Sequence, residues 1–73
     1  MNNCIREWIL NIFGRVNRAR VELNGLIADL TKDIDNIEYG YELKEHLHEA
    51  LDHCEEIFMI LKQCLDGDYK QDG

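Results

Sequence analysis

Two runs of apolar residues, each stepping alternately by four and three, constrain this chain more than any other feature. The first is Ile5, Ile9, Ile12, Val16, Ala19, Leu23, Leu26, Leu30. The second is Leu43, Leu47, Ala50, Cys54, Ile57, Leu61, Cys64. Steps of four and three average 3.5 residues, the repeat of helices that pack along a straight seam. No proline interrupts either run. Gly14 and Gly25 fall inside the first, each costing about 1 kcal/mol relative to alanine without breaking the rhythm. The pattern predicts an all-α chain of two long helices.

Between the runs lies TKDIDNIEYGYE, residues 31–42. Asp35 is placed to cap a helix, with Glu38 as its reciprocal partner three residues on; Ile34 and Tyr39 then stand where a hydrophobic staple would close the entry. These signals predict helix one over about 3–31, a turn over about 32–35 and helix two over about 36–66. Gly67 is placed as its stop, and 68–73 reads as a flexible polar tail. Residues 1–67 thus form an antiparallel helical hairpin; the alternative is one long helix through 31–42. Folding back between residues 36 and 37 pairs Leu30 with Leu43, Leu26 with Leu47, Leu23 with Ala50, Ala19 with Cys54, Val16 with Ile57, Ile12 with Leu61 and Ile9 with Cys64.

In heptad letters these are the a and d positions, and one seam does not use every apolar residue. Trp8 and Ile60 fall at g; Phe13, Ile27, Leu51, Phe58 and Leu65 fall at e. Each large side chain left wet forgoes about 1.5–3 kcal/mol. A chain of 73 residues is one domain at most, and at this size one core rarely supplies more than about 3–5 kcal/mol. A second hairpin on the first, giving a homodimeric four-helix bundle, would cover that apolar edge. A groove receiving a helix from another protein is the rival arrangement.

This architecture, in topology and chain length rather than in aligned residues, resembles the Rop family of plasmid copy-control proteins. The resemblance implies RNA binding through the polar face of helix one. Charge is distributed compatibly with that. Residues 1–31 hold four arginines against three acids, a balance of +1; residues 32–73 hold four lysines against twelve acids, a balance of −8. The whole chain, at −7, repels nucleic acid at long range, but its first helix does not.

The segment KEHLHEALDHCEE, 44–56, gathers all three histidines. On a helix, Glu45, His48, Glu49 and Asp52 form one outward stripe. His46 and His53 share the g edge, about 10.5 Å apart by helical rise, too far for one metal ion. Glu49 with His53 makes at most a two-ligand site, and the HExxH spacing is missed by one residue. A solvated face with histidines beside carboxylates is the expectation, with no metal and no cofactor. Titration of His46 and His53 beside a partner helix is a further possibility.

The three cysteines are an odd number, which argues against a secreted disulfide framework. Cys54 and Cys64 occupy seam positions, as small core hydrophobes. Cys4 and Cys64 belong to the same end of the hairpin, within range of an adventitious disulfide. There is no serine, no glycine-rich phosphate loop and no paired catalytic carboxylates. The expectation is no enzyme and no small-molecule substrate. The apolar stretch WILNIF is too short for a signal or a span, so the expected location is cytoplasmic, off the membrane.

The outer face of helix one departs from what a solvated helix face should be. Its b, c and f positions include Leu10, Asn11, Gly14, Asn17, Arg18, Val21, Asn24, Gly25 and Ala28, and among those nine only Arg18 is charged. Small residues there admit a second backbone, although glycine is a poor helix former. Asn11, Gly14, Arg15, Arg18, Val21 and Gly25 are the expected partner-binding residues. The sequence thus points to a small acidic protein that regulates or inhibits a partner protein by binding it, of the sort small mobile-element genes encode. An RNA-binding regulator using Asn11, Arg15 and Arg18 is the alternative.

Overall fold

The computed structural model describes the backbone of residues 2–72 and the side chains of 2–67. Helix α1 spans Asn3–Lys32, a one-turn 3-10 helix spans Ile34–Asn36, and α2 spans Gly40–Asp72. The two long helices run antiparallel as a hairpin 54 Å long and 15 × 13 Å across, with no strand among the described residues. Asn2 starts α1: its Oδ1 accepts the Ile5 amide at 2.9 Å, satisfying one of the free donors of the first turn.

The turn differs from the expected one. Asp35 does not cap α2, and helix two begins at Gly40 rather than near Asn36. The Asp35 carboxylate instead accepts the Tyr41 hydroxyl at 2.7 Å. The segment closes through the Ile37 amide to the Ile34 carbonyl and the Gly40 amide to the Ile37 carbonyl. Tyr39 then adopts φ 61°, a left-handed backbone, and its carbonyl accepts the Leu43 amide at 2.9 Å as α2 begins. The staple is not made: Ile34 is buried, while Tyr39 is 72% exposed. Gly40 sits so close to Ile34 that a Cβ on it would lie 2.6 Å from the Ile34 carbonyl oxygen.

At the far end, α2 runs through Gly67, where a stop was expected, to Asp72. Glycine ends a helix by taking the left-handed conformation, and Gly67 keeps φ negative. The side chains of the expected tail, 68–73, lie outside the described residues.

The hairpin interior holds a rotated version of the expected seam. Ile9, Phe13, Val16, Arg20, Leu23, Ile27 and Leu30 of α1 are buried or half-buried, and so are Leu47, Leu51, Cys54, Phe58, Leu61 and Leu65 of α2. These are a and e positions. The d positions turn outward: Ile5, Leu26, Leu43, Ala50, Ile57 and Cys64 are exposed, with Ile12 and Ala19 half-covered. The expected free edge of Phe13, Ile27, Leu51, Phe58 and Leu65 is therefore corrected, since those five side chains lie between α1 and α2. Size decides it. The rings of Phe13 and Phe58 stack with centroids 4.5 Å apart, and two phenylalanines bury far more surface than Ala19 and Ala50 could. The level along the axis is nearly as expected, because Phe58 touches Phe13 and Arg20, which bracket its anticipated height.

Candidate protein-binding faces

Burial within one hairpin is slight. Among the described residues only Ile27, Leu30, Ile34 and Leu51 are buried apolar side chains, and none of the large ones is fully enclosed. Three of these four lie at the turn end. Toward the open end the interior is held by the phenylalanine stack and by Arg20. The Arg20 guanidinium lies 4.6 Å from the Phe58 ring centre and donates to Asn17 Oδ1 at 2.8 Å, while its Nε is buried without a hydrogen-bond partner. A cation over a ring face contributes about 0.5–1 kcal/mol at partly wet sites. An orphaned donor costs about 1–3 kcal/mol. Arg20 is thus a seam residue.

The outward d stripes form the first candidate face. Reversing a helix reverses its sense of rotation together with its direction, so equivalent stripes of an antiparallel pair emerge on the same side. Ile5, Ile12, Ala19 and Leu26 of α1 therefore flank Leu43, Ala50, Ile57 and Cys64 of α2 across one broad side of the hairpin. A shallow apolar groove of about 280 Å³ lies there, lined by Ile12, Arg15, Val16, Ala19 and Cys54. Trp8 and Ile60, expected on an apolar edge, border this face at 65% and 59% exposure. The opposite broad side carries Leu10, Asn17, Asn24, Tyr41, His48, Glu55 and Lys62 and is mostly polar.

The second candidate face is the outer side of α1. Asn11, Gly14, Arg15, Arg18, Val21 and Gly25 are all exposed there. Gly14 and Gly25 have nothing within 4 Å of the position a Cβ would take, so their smallness serves no packing inside the hairpin. Leu10 is exposed alongside them.

The histidines stand on wet surface. His46 Nδ1 is 3.8 Å from Glu49 Oε2 and His53 Nδ1 is 4.0 Å from Glu56 Oε2. Glu49 thus pairs with His46 rather than His53. No group of three or more metal-ligating side chains converges among the described residues. Cys4 and Cys64 are exposed, Cys54 is half-buried, and all three are free thiols. Cys64 thereby leaves its expected seam position. Among the described residues no helix is long and apolar enough to cross a membrane.

What the sequence reading missed is the d-stripe face. Its residues were assigned to the interior because the 3.5 repeat is equally good for either neighbour of the a stripe. The chain is not significantly similar to any family model, curated protein or solved structure.

Proposed function

We propose that this chain is a non-enzymatic regulator that acts by binding another protein. Two hairpins pair through the d-stripe face into a four-helix bundle, and the outer side of α1 is the docking patch for the regulated protein. The observation that carries the pairing is the surface the hairpin leaves wet. Its accessible area is 5760 Å², against about 4,700 Å² expected for a folded chain of this mass. The excess of about 1,000 Å² is comparable to the roughly 800 Å² per partner that a standard stable interface buries. On or beside that face Ile5, Trp8, Leu26, Leu43, Ile57 and Ile60 are all more than 40% exposed, while Leu10, Val21, Ile37, Tyr39, Tyr41 and Met59 are exposed elsewhere.

With that face covered in a dimer, Leu10 and Val21 are still exposed apolar groups on α1, beside two glycines that admit a close backbone. That combination supports a protein partner. The RNA-binding alternative has Arg15 and Arg18 to touch phosphates. The Trp8 ring, 65% exposed in the single hairpin, is covered in the proposed dimer, which would leave α1 without an aromatic free to stack a base.

Sedimentation equilibrium of the reduced protein with chelator tests the pairing: the expected mass is twice 8.6 kDa, and a stable monomer at micromolar concentration defeats it. The docking patch is tested with Gly14→Glu/Val21→Glu. This variant should keep its helicity and its dimer mass while losing the partners that the wild-type chain retains on an affinity column. Equal retention of the same partners rejects the patch. A gel shift with structured RNA that weakens steeply with salt would transfer the function to the alternative.

A further inference from the structure

We infer that the second copy docks with its turn at the same end as the first, so that α1 of each hairpin packs on α2 of the other and the two-fold axis runs along the bundle. This rests on the pairing proposed above and adds its geometry. Only two symmetric arrangements lay the d-stripe faces on each other with antiparallel neighbours. In one, the axis runs along the hairpin and α1 meets α2. In the other, the axis crosses the hairpin at mid-length, the turns point apart, and each helix meets its own copy.

Charge separates the two. Helix α1 holds five basic residues against three acids, a balance of +2, and α2 three against nine, a balance of −6. With the axis along the bundle, the two acidic helices occupy one diagonal and every adjacent pair joins α1 to α2. With the crossing axis, α2 lies directly beside α2. Neighbouring helices stand about 8–10 Å apart, within the screening length of about 8–10 Å at moderate salt, while a diagonal is about 1.4 times longer. The crossing axis therefore places the strongly acidic pair where screening is weakest.

The borders of the face point the same way. The exposed apolar run of α1 extends from Ile5 to Leu26 and is centred near Arg15; that of α2 extends from Leu43 to Cys64 and is centred near His53. A crossing axis through those centres sets Arg15 against Arg15 and His53, flanked by Glu49 and Glu56, against its own copy. With the axis along the bundle, levels are preserved. Arg15 shares a groove with Cys54 within one hairpin, so Arg15 of one copy stands at the level of His53 and Glu56 of the other. Leu26 likewise comes level with Leu43, and Ile12 with Ile57. Ala19 and Ala50, the smallest apolar residues of the face, form a common waist at which the two hairpins approach closest.

The distance between the two turns decides the matter. Asp33→Cys, an exposed turn position, is introduced with Cys4→Ser, Cys54→Ala and Cys64→Ser and labelled with a nitroxide, and helicity and mass are checked before pulsed dipolar spectroscopy. The expected separation is under about 30 Å. The crossing axis predicts about 45 Å, the length of a thirty-residue helix at about 1.5 Å per residue, and that result overturns the geometry while leaving the pairing intact. A monomeric mass for the unsubstituted chain overturns the pairing itself. A second site, Glu38→Cys in the same cysteine-free background, repeats the distance from another exposed turn position if Asp33→Cys loses helicity or mass; the same two separations then support or overturn the geometry.

Discussion

Tyr39 and Gly40 carry opposite demands on one short turn. Residue 39 needs a positive φ, which costs a side-chain-bearing residue about 1–2 kcal/mol. Residue 40 needs the absence of a Cβ, because Ile34 stands against it. The chain has a single glycine for these two places and uses it at 40. Tyr39→Gly should therefore raise stability by about 0.5–1 kcal/mol, the strain relieved less the extra freedom glycine has when unfolded. Gly40→Ala should lower it by about 1–3 kcal/mol through overpacking. Chemical denaturation of both variants checks the pair. Tyr41 adds a titratable link to the same turn. The Asp35 carboxylate accepts its hydroxyl and, more weakly, repels the phenolate, so the Tyr41 pKa is raised above the usual phenol value. A raised folded pKa favours the protonated form. The contribution is thus present in full below the unfolded pKa of about 10 and is lost as pH rises through the higher folded value. Spectrophotometric titration should show a tyrosine ionising late, and Tyr41→Phe should remove it.

Each helix is written for more than its place in the hairpin. In α1 the interior stripe is strong, yet Gly14 and Gly25 weaken the helix where nothing in the hairpin needs them small. Gly14→Ala and Gly25→Ala should each stabilise the protein by about 1 kcal/mol on helix propensity alone. If the glycines serve a docked backbone, the same substitutions weaken partner retention while raising the melting temperature, a division that drift on an idle surface would not produce. The helix was legible in the sequence because its 3.5 repeat extends over seven steps and no proline opposes it. Its boundaries near the turn were less so. Asp35 and Glu38 spell a capping box, but Tyr41 competes for the same carboxylate and wins it, and a local motif carries no information about a hydroxyl six residues away. Gly67 misled in a similar way, since its identity permits a stop but does not require one.

At the scale of the whole molecule, two apolar stripes do different work. The e stripe closes the hairpin and the d stripe is left for association. Phe58→Ala should destabilise folding by about 2–3 kcal/mol, somewhat under the range for a fully buried ring because Phe58 is half-buried. Leu26→Glu, on the d face, should instead weaken the dimer about a hundredfold or more, since each dimer loses two leucines that contribute about 1.5 kcal/mol or more apiece. Sedimentation of Leu26→Glu beside Val21→Glu distinguishes the faces: the first should shift toward monomer and the second should not.

The order of residues alone points to two antiparallel helices that reverse within 31–42, the level at which they meet and the undercharged outer side of α1. These follow from periodicity, spacing and composition, which are local and cumulative. Which stripe faces inward does not follow. At about 100° per residue, e lies about 40° to one side of a and d about 60° to the other, so a chain apolar at a, d and e offers two hairpin interiors of nearly equal period. The choice belongs to packing in three dimensions. Phe13 stacks on Phe58, Arg20 covers the ring, and the stripe without phenylalanine, which carries Ala19, Ala50 and Cys64, is turned out, because one hairpin encloses only two stripes and the larger side chains gain most from being enclosed.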